Sequence, residues 1–162
     1  MNISKIALLL LFATAFANAG SEIVELGCVR DKNELTVVGR NKIVFEQELR
    51  EALYAGIDLS FEYQIKLGDD VISFPYRLSF DVLNRAYLLK KSDGIQRFAD
   101  LYSLLAVMEE ISLQQTIKPE LPLEEVSLRF YFDKENLPFP LRWYVFWGSE
   151  WDLSSEWRSC GR

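Results

Sequence analysis

Residues Ile57–Leu67 alternate without exception. Ile57, Leu59, Phe61, Tyr63, Ile65 and Leu67 are apolar, and Asp58, Ser60, Glu62, Gln64 and Lys66 between them are polar. A period of two is the repeat of an extended strand, whose successive side chains point to opposite faces. One dry face and one wet face mark an antiparallel sheet rather than a parallel one. After the turn chemistry of Gly68-Asp69-Asp70, the alternation resumes through Ile72, Phe74, Tyr76, Leu78 and Phe80. Pro75 has no N–H for a ladder, so this second strand is expected at an edge or bulged. Val126, Leu128, Phe130 and Phe132, alternating with Ser127, Arg129 and Tyr131, give a third strand of the same kind.

The remaining segments fit around these strands. Ser21–Arg30 and Glu34–Phe45 flank Asp31-Lys32-Asn33 and predict a hairpin. Gly39 and the polar run Arg40-Asn41-Lys42 predict a bulge in its second strand. Arg85–Lys91, the turn Ser92-Asp93-Gly94 and Ile95–Phe98 predict another hairpin. Glu46–Ala55 reads as a short helix: Leu49, Ala52 and Leu53 share a face, and Gly56 suits its end. Asp100 is placed to cap a helix reaching Ile111, with Leu101, Leu104, Leu105, Met108 and Ile111 as its apolar stripe. Gln114–Pro122 reads as a loop. The fold class expected is mainly β (α+β): one antiparallel, sandwich-like domain over residues 20–162, with two short amphipathic helices covering a face or an opening.

The first segment has the form of a secretory leader. Met1–Lys5 carries one positive charge, Ile6–Phe16 is apolar, and Ala17-Asn18-Ala19 matches the small-x-small cleavage pattern. A periplasmic or secreted protein starting at Gly20 is expected, with membrane contact only if the leader stays as an anchor. Leu26-Gly27-Cys28 resembles a lipoprotein signal, but Glu22 and Glu25 interrupt the apolar run that lipidation requires. The chain has net charge −6, or −7 once Lys5 leaves with the leader. An acidic chain without a Lys/Arg cluster is repelled by nucleic acid, so none is expected as a partner. Cys28 and Cys160 are either a disulfide closing nearly the whole domain or two separate thiols.

The chain contains no histidine. This removes Ser-His-Asp and Cys-His catalysis, histidine zinc sites and a histidine pH switch. There is no Gly-rich phosphate loop and no nucleophile elbow. Carboxylate chemistry remains, through Asp69-Asp70, Glu109-Glu110 and Glu124-Glu125. Adjacent residues of a strand diverge, so these pairs suit solvated turns better than a glycosidase cleft. Two ligands at Asp69-Asp70 fall short of the oxygens calcium takes. No cofactor, metal or catalytic residue is expected.

All four tryptophans lie between Leu137 and Trp157, in LPFPLRWYVFWGSEWDLSSEW. Such an ending has three readings. Trp143, Phe146 and Trp151 close the core while Trp157 rides a final strand. Alternatively Arg142, Trp143, Tyr144, Trp147 and Trp151 form a hot spot for a protein partner. Or the rings insert at a membrane interface, which the negative charge opposes.

Three stretches, in order, resemble a family of exported Gram-negative proteins catalogued as domain of unknown function 4390. Leu49–Phe61 (LREALYAGIDLSF) is similar to its Leu-x-x-Ala-Leu-x-x-Gly-Ile/Val-x-Leu-x-Phe. Tyr76–Leu88 (YRLSFDVLNRAYL) is similar to its Tyr-x-Leu-Ser-Tyr-x-x-Leu-x-Arg-x-Tyr. LPFPLR followed by WDLSSEW resembles its Leu-Pro-x-Pro-Leu-Arg and Trp-x-Leu-x-Ser-x-Trp. The resemblance covers about residues 34 to 158. It implies an exported or tethered protein with no assigned activity, no active-site residues to carry over, and genes often near a membrane sensor kinase. The cysteine pair is not part of that pattern. The expected role is therefore a non-enzymatic interaction or accessory domain with an envelope protein partner. The alternative is a carbohydrate- or small-ligand-binding module, or a weak carboxylate hydrolase.

Overall fold

The computed structural model describes residues 20–118, 120–139, 141–142, 145 and 151–161. Strands β1 (Gly20–Asp31), β2 (Glu34–Val44) and β7 (Glu110–Thr116) form a three-stranded sheet in the order β1-β2-β7. Strands β3 (Leu59–Leu67), β4 (Asp70–Asp81), β5 (Ala86–Lys91), β6 (Gly94–Phe98), β8 (Val126–Phe132) and β9 (Arg158–Ser159) form a six-stranded sheet in the order β6-β5-β4-β3-β8-β9. Every strand pairing is antiparallel. Among the described residues, helices α1 (Gln47–Tyr54) and α2 (Leu101–Glu109) accompany the sheets, in the mainly β, α+β architecture that the alternation predicts.

Both sheets turn one face to a common core. The small sheet contributes Ile23, Leu35, Val37, Ile43, Ile111 and Leu113. The large sheet contributes Leu59, Phe61, Tyr63 and Ile65 of β3 and Val126, Leu128, Phe130 and Phe132 of β8. The alternating apolar residues of β3 from Leu59 to Ile65 are all buried, while Ser60, Glu62, Gln64 and Lys66 lie on the other face. Helix α1 buries Leu49, Ala52 and Leu53, as its spacing requires, and Gly56 follows it at φ 80°. Asp100 caps α2 by accepting the Ser103 N–H at 2.8 Å. Tyr63 crosses the core and donates its hydroxyl to the Met108 carbonyl at 2.7 Å, which ties the large sheet to the end of α2.

Three sequence expectations are corrected or refined. The register shift lies in β1, between Ile23 and Glu25, rather than in β2. Gly39 explains the placement. A Cβ there would lie 2.2 Å from the Glu25 carbonyl oxygen, so β2 stays regular and the glycine admits the displaced backbone of β1. Second, β4 is interior over Arg77–Asp81 and an edge only around Pro75, where it runs unbroken rather than bulged. The proline is accommodated because β5 pairs only with Arg77–Asp81, which leaves β4 with one neighbour at Pro75. Third, α2 stops at Glu109, and the next residues leave at once in β7. Part of the expected Gln114–Pro122 loop, through Thr116, is therefore strand. The leader-like residues 1–19 lie outside the described residues.

Candidate functional site

The chain's final stretch is a strap along the free side of β8. Trp151 is 8% exposed and stacks its ring on Phe132, with centroids 6.4 Å apart and planes at 21°. Leu153 is fully buried. The two serines then do the work of a missing strand. Ser154 Oγ accepts the Phe132 N–H at 3.2 Å, and Ser155 Oγ accepts the Phe130 N–H at 2.8 Å. The Ser155 N–H donates to the Phe130 carbonyl at 2.8 Å. Next, β9 pairs with β8 through Leu128 and Ser127, and the Cys160 N–H donates to the Val126 carbonyl at 2.9 Å. Buried backbone groups need such partners. Ser155→Ala leaves the Phe130 N–H without an acceptor, so a loss of about 1–3 kcal/mol is expected in urea unfolding. Ser155→Thr, which keeps the hydroxyl, is expected to lose less.

The strap ends in a disulfide. Cys160 is bonded to Cys28 of β1, with Cα atoms 5.6 Å apart, so the bond joins the β9 end of the large sheet to the small one. Arg158 strengthens the same junction, donating Nη1 to the Ile23 carbonyl.

Just before β9 the chain presents a ladder of side chains on the outer face of the large sheet. The Arg129 guanidinium lies 4.5 Å from the Trp157 ring centroid and 5.1 Å from that of Tyr131. Its Nε donates to Gln64 Oε1 at 2.7 Å, and Gln64 Nε2 donates to Glu62 Oε2 at 2.8 Å. Trp157 is 36% exposed, against 8% for Trp151. Burial pushes the Tyr131 hydroxyl up from its ordinary pKa, and the nearby Asp133 and Glu135 carboxylates add to the shift. The arrangement is a set of aromatic and guanidinium planes held in place by hydrogen bonds.

The expected partner surface is divided by the structure. Arg142 is exposed, and its Nη1 donates to the Glu135 carbonyl at 3.4 Å. Trp151 belongs to the core, as in the packing reading of this segment. Trp143, Tyr144 and Trp147 lie outside the described residues. Arg129, Tyr131 and Gln64 are the surface residues that sequence reasoning missed. Their positions on the wet face of alternating strands were legible, but their meeting depends on the β3–β8 register, Gln64 opposite Arg129.

The outer faces also differ in charge. Lys66, Arg77, Lys90, Arg97 and Arg129 lie on the outer face of the large sheet, against Glu62 and Asp81 among its strand residues, and Asp81 pairs with Arg97 at 3.7 Å. Arg77 and Lys90 stand directly opposite on β4 and β5, a like-charge pair that costs stability. On the small sheet's outer face the balance reverses. Glu22, Glu25, Asp31, Glu34 and Glu110 outnumber Arg40 and Lys42, and Asp31 stands opposite Glu34. A cleft of about 810 Å³ opens between this sheet and the end of α2, lined by Glu25, Arg40, Glu109 and Glu110 among others.

The acidic groups do structural work where they are engaged. Glu109 Oε1 accepts the Ile43 N–H at 2.9 Å. Hydrogen bonds from Asn84 hold Asp81 below the usual carboxylate range, and those from Ser103 do so for Asp100. Asp69, Asp70, Glu124 and Glu125 are exposed. Among the described residues no group of three or more His, Cys, Asp or Glu is placed to hold a metal ion. Among them, too, no helix is long and apolar enough to cross a membrane.

Tyr76 and Tyr131 are raised by burial, and Tyr87 and Tyr63 contribute most to the alkaline behaviour. Tyr87 shares a 2.6 Å hydroxyl contact with Tyr54, and burial followed by that contact pushes it up to about 12. Burial raises Tyr63 further. Both groups stay protonated in the folded chain after they would ionise in the unfolded one. Their contribution is complete below about pH 10 and is lost as pH rises toward the folded values. Urea midpoints are therefore expected to fall between about pH 10 and 12, and Tyr87→Phe to flatten that fall. An unchanged slope in the variant would remove Tyr87 from the account.

A family model described as a domain of unknown function (DUF4390) matches residues 18–160. No curated protein and no solved structure matches the chain significantly.

Proposed function

The chain belongs to the DUF4390 family, whose description assigns no activity, and from that premise we propose that it is an exported, non-enzymatic accessory domain that binds another envelope protein. The observation that carries this reading is the Tyr131–Arg129–Trp157 ladder on the outer face of the large sheet. Trp, Tyr and Arg are the residues that dominate binding energy at protein interfaces. Gln64 and the strap hold these in place, so little side-chain freedom is lost on binding. Arg142 is exposed, and Trp143, Tyr144 and Trp147, of the same residue types, follow it in the sequence. The leader-like Met1–Ala19 and the Cys28–Cys160 bond support export, since disulfides persist in oxidising compartments. The absence of histidine supports a role without catalysis, because histidine is the commonest general acid and base. The membrane sensor kinase that the resemblance associates with this family is the first partner to test.

A photo-reactive residue placed at Trp157, Trp143 or Trp147 in living cells tests the reading. A discrete adduct with one envelope protein, lost in Arg129→Ala, is the expected result. Adducts only with the chain itself would overturn it. A second reading, a carbohydrate-binding module, is favoured by the exposed Trp157 ring beside the Gln64–Glu62 pair. Tryptophan fluorescence titrated with cell-wall oligosaccharides checks it, and flat curves across the panel remove it.

A further inference from the structure

We infer that the cationic outer face of the large sheet is a docking surface for a second copy of this chain, which it receives on the acidic outer face of the small sheet. This goes beyond the proposed function and does not depend on it. The argument is charge complementarity between two surfaces of one molecule. In a chain of net charge −6, the large sheet gathers five cations on one face against two strand carboxylates, Glu62 and Asp81, of which Asp81 pairs with Arg97 at 3.7 Å. From Arg129 to Arg97 this band runs across five strands, roughly 20 Å at ordinary strand spacing. Among the described residues no ion pair is found for Arg77 or Lys90, which face each other across β4 and β5. The Asp31–Glu34 pair on the small sheet has the opposite sign and likewise shows no ion pair among the described residues. Each is a local repulsion within the fold, and contact between the two faces relieves both.

The cleft between the small sheet and the end of α2 sets Glu25, Glu109 and Glu110 on its walls beside Arg40, three carboxylates to one cation. Apolar residues stand beside the charges on both faces: Val71 and Ile95 on the large sheet, Val29 and Val38 on the small one, each at least 43% exposed. The two faces point away from a common core, on opposite sides of it. Docking one on the other is therefore head-to-tail, and it generates an open stack rather than a closed dimer.

The test is sedimentation of the purified protein across a dilution series. At about 0.1 M salt, weight-average mass is expected to climb past that of two chains without reaching a plateau. At about 1 M salt, where the screening length falls from about 10 Å to about 3 Å, it is expected to return to one chain. Two reversed variants, Arg77→Glu/Lys90→Glu and Asp31→Lys/Glu34→Lys, are each expected to stay at one chain alone and to associate when mixed, because each restores the other's complement. Circular dichroism checks that both are folded. Should either fail to fold, Lys90→Gln and Glu34→Gln replace them, each with a weaker association than the parent. A parent protein at one chain throughout, an association indifferent to salt, or reversed variants that fail to associate on mixing would overturn the inference.

Discussion

Replacing Cys28 and Cys160 by alanine is expected to cost about 5 kcal/mol, because the bond closes a loop with a sequence separation of 132 residues in the unfolded chain. A domain of this size is stable by about 5–15 kcal/mol, so the variant is left near the threshold of folding. The loss has a structural side as well. Without the bond, β9 is held by two residues paired to β8 and by the Arg158 contact with β1. Urea unfolding of the oxidised protein, the reduced protein and the double variant checks the expectation. Coincident midpoints for all three would show that strap and sheets hold each other without the bond.

Phe61→Ala is expected to lose about 3–5 kcal/mol. Phe61 is fully buried at the centre of β3, and its ring lies 5.5 Å from Phe130, 5.0 Å from Phe132 and 6.4 Å from Phe45. Removing it empties the middle of an aromatic group drawn from two neighbouring strands and the lead-in to α1. No single neighbour is free to fill the space, since Phe130 and Phe132 are fixed by β3 on one side and the serines of the strap on the other. Trp157→Ala provides the contrast. Its ring is partly in water and rests on a guanidinium, so a loss of about 1 kcal/mol or less is expected. Equal losses in the two variants would place Trp157 in the core and remove it from the binding surface.

The strands that alternate cleanly were legible because one periodicity specifies both an element and its buried face. Hence β3, β4 and β8 needed no structure to be read. The expected α2 was too long, and β7 was missed, for one reason. Ile111 fits the helical stripe of Leu101, Leu104 and Met108, and it also fits the alternation of Ile111 and Leu113 with Ser112 and Gln114. No Gly or Pro separates the two patterns, and the chain turns from helix to strand at Glu110, with φ −79° and ψ 118°. The role of Ser154 and Ser155 was hidden because serine carries little local preference, and their partners lie on a strand more than twenty residues earlier. The cationic face was hidden more completely. Its members are spread from Lys66 to Arg129, and no sequence window contains more than a few of them. Only the register of five strands brings them onto one surface, so the sequence reads as a chain without a basic cluster.

The disulfide also decides how this protein carries tension. Pull on the chain ahead of Gly20 and beyond Cys160, and the covalent path runs through β1 as far as Cys28, across the sulfurs, and out. The residues from Val29 to Ser159 hang from that path as a closed loop and bear none of the load along their backbone. A leader kept in the membrane at one end and a partner held at the other would thus be joined by a short covalent link. The large sheet, with β2 and β7, would keep its shape while the link and the part of β1 ahead of Cys28 are under strain.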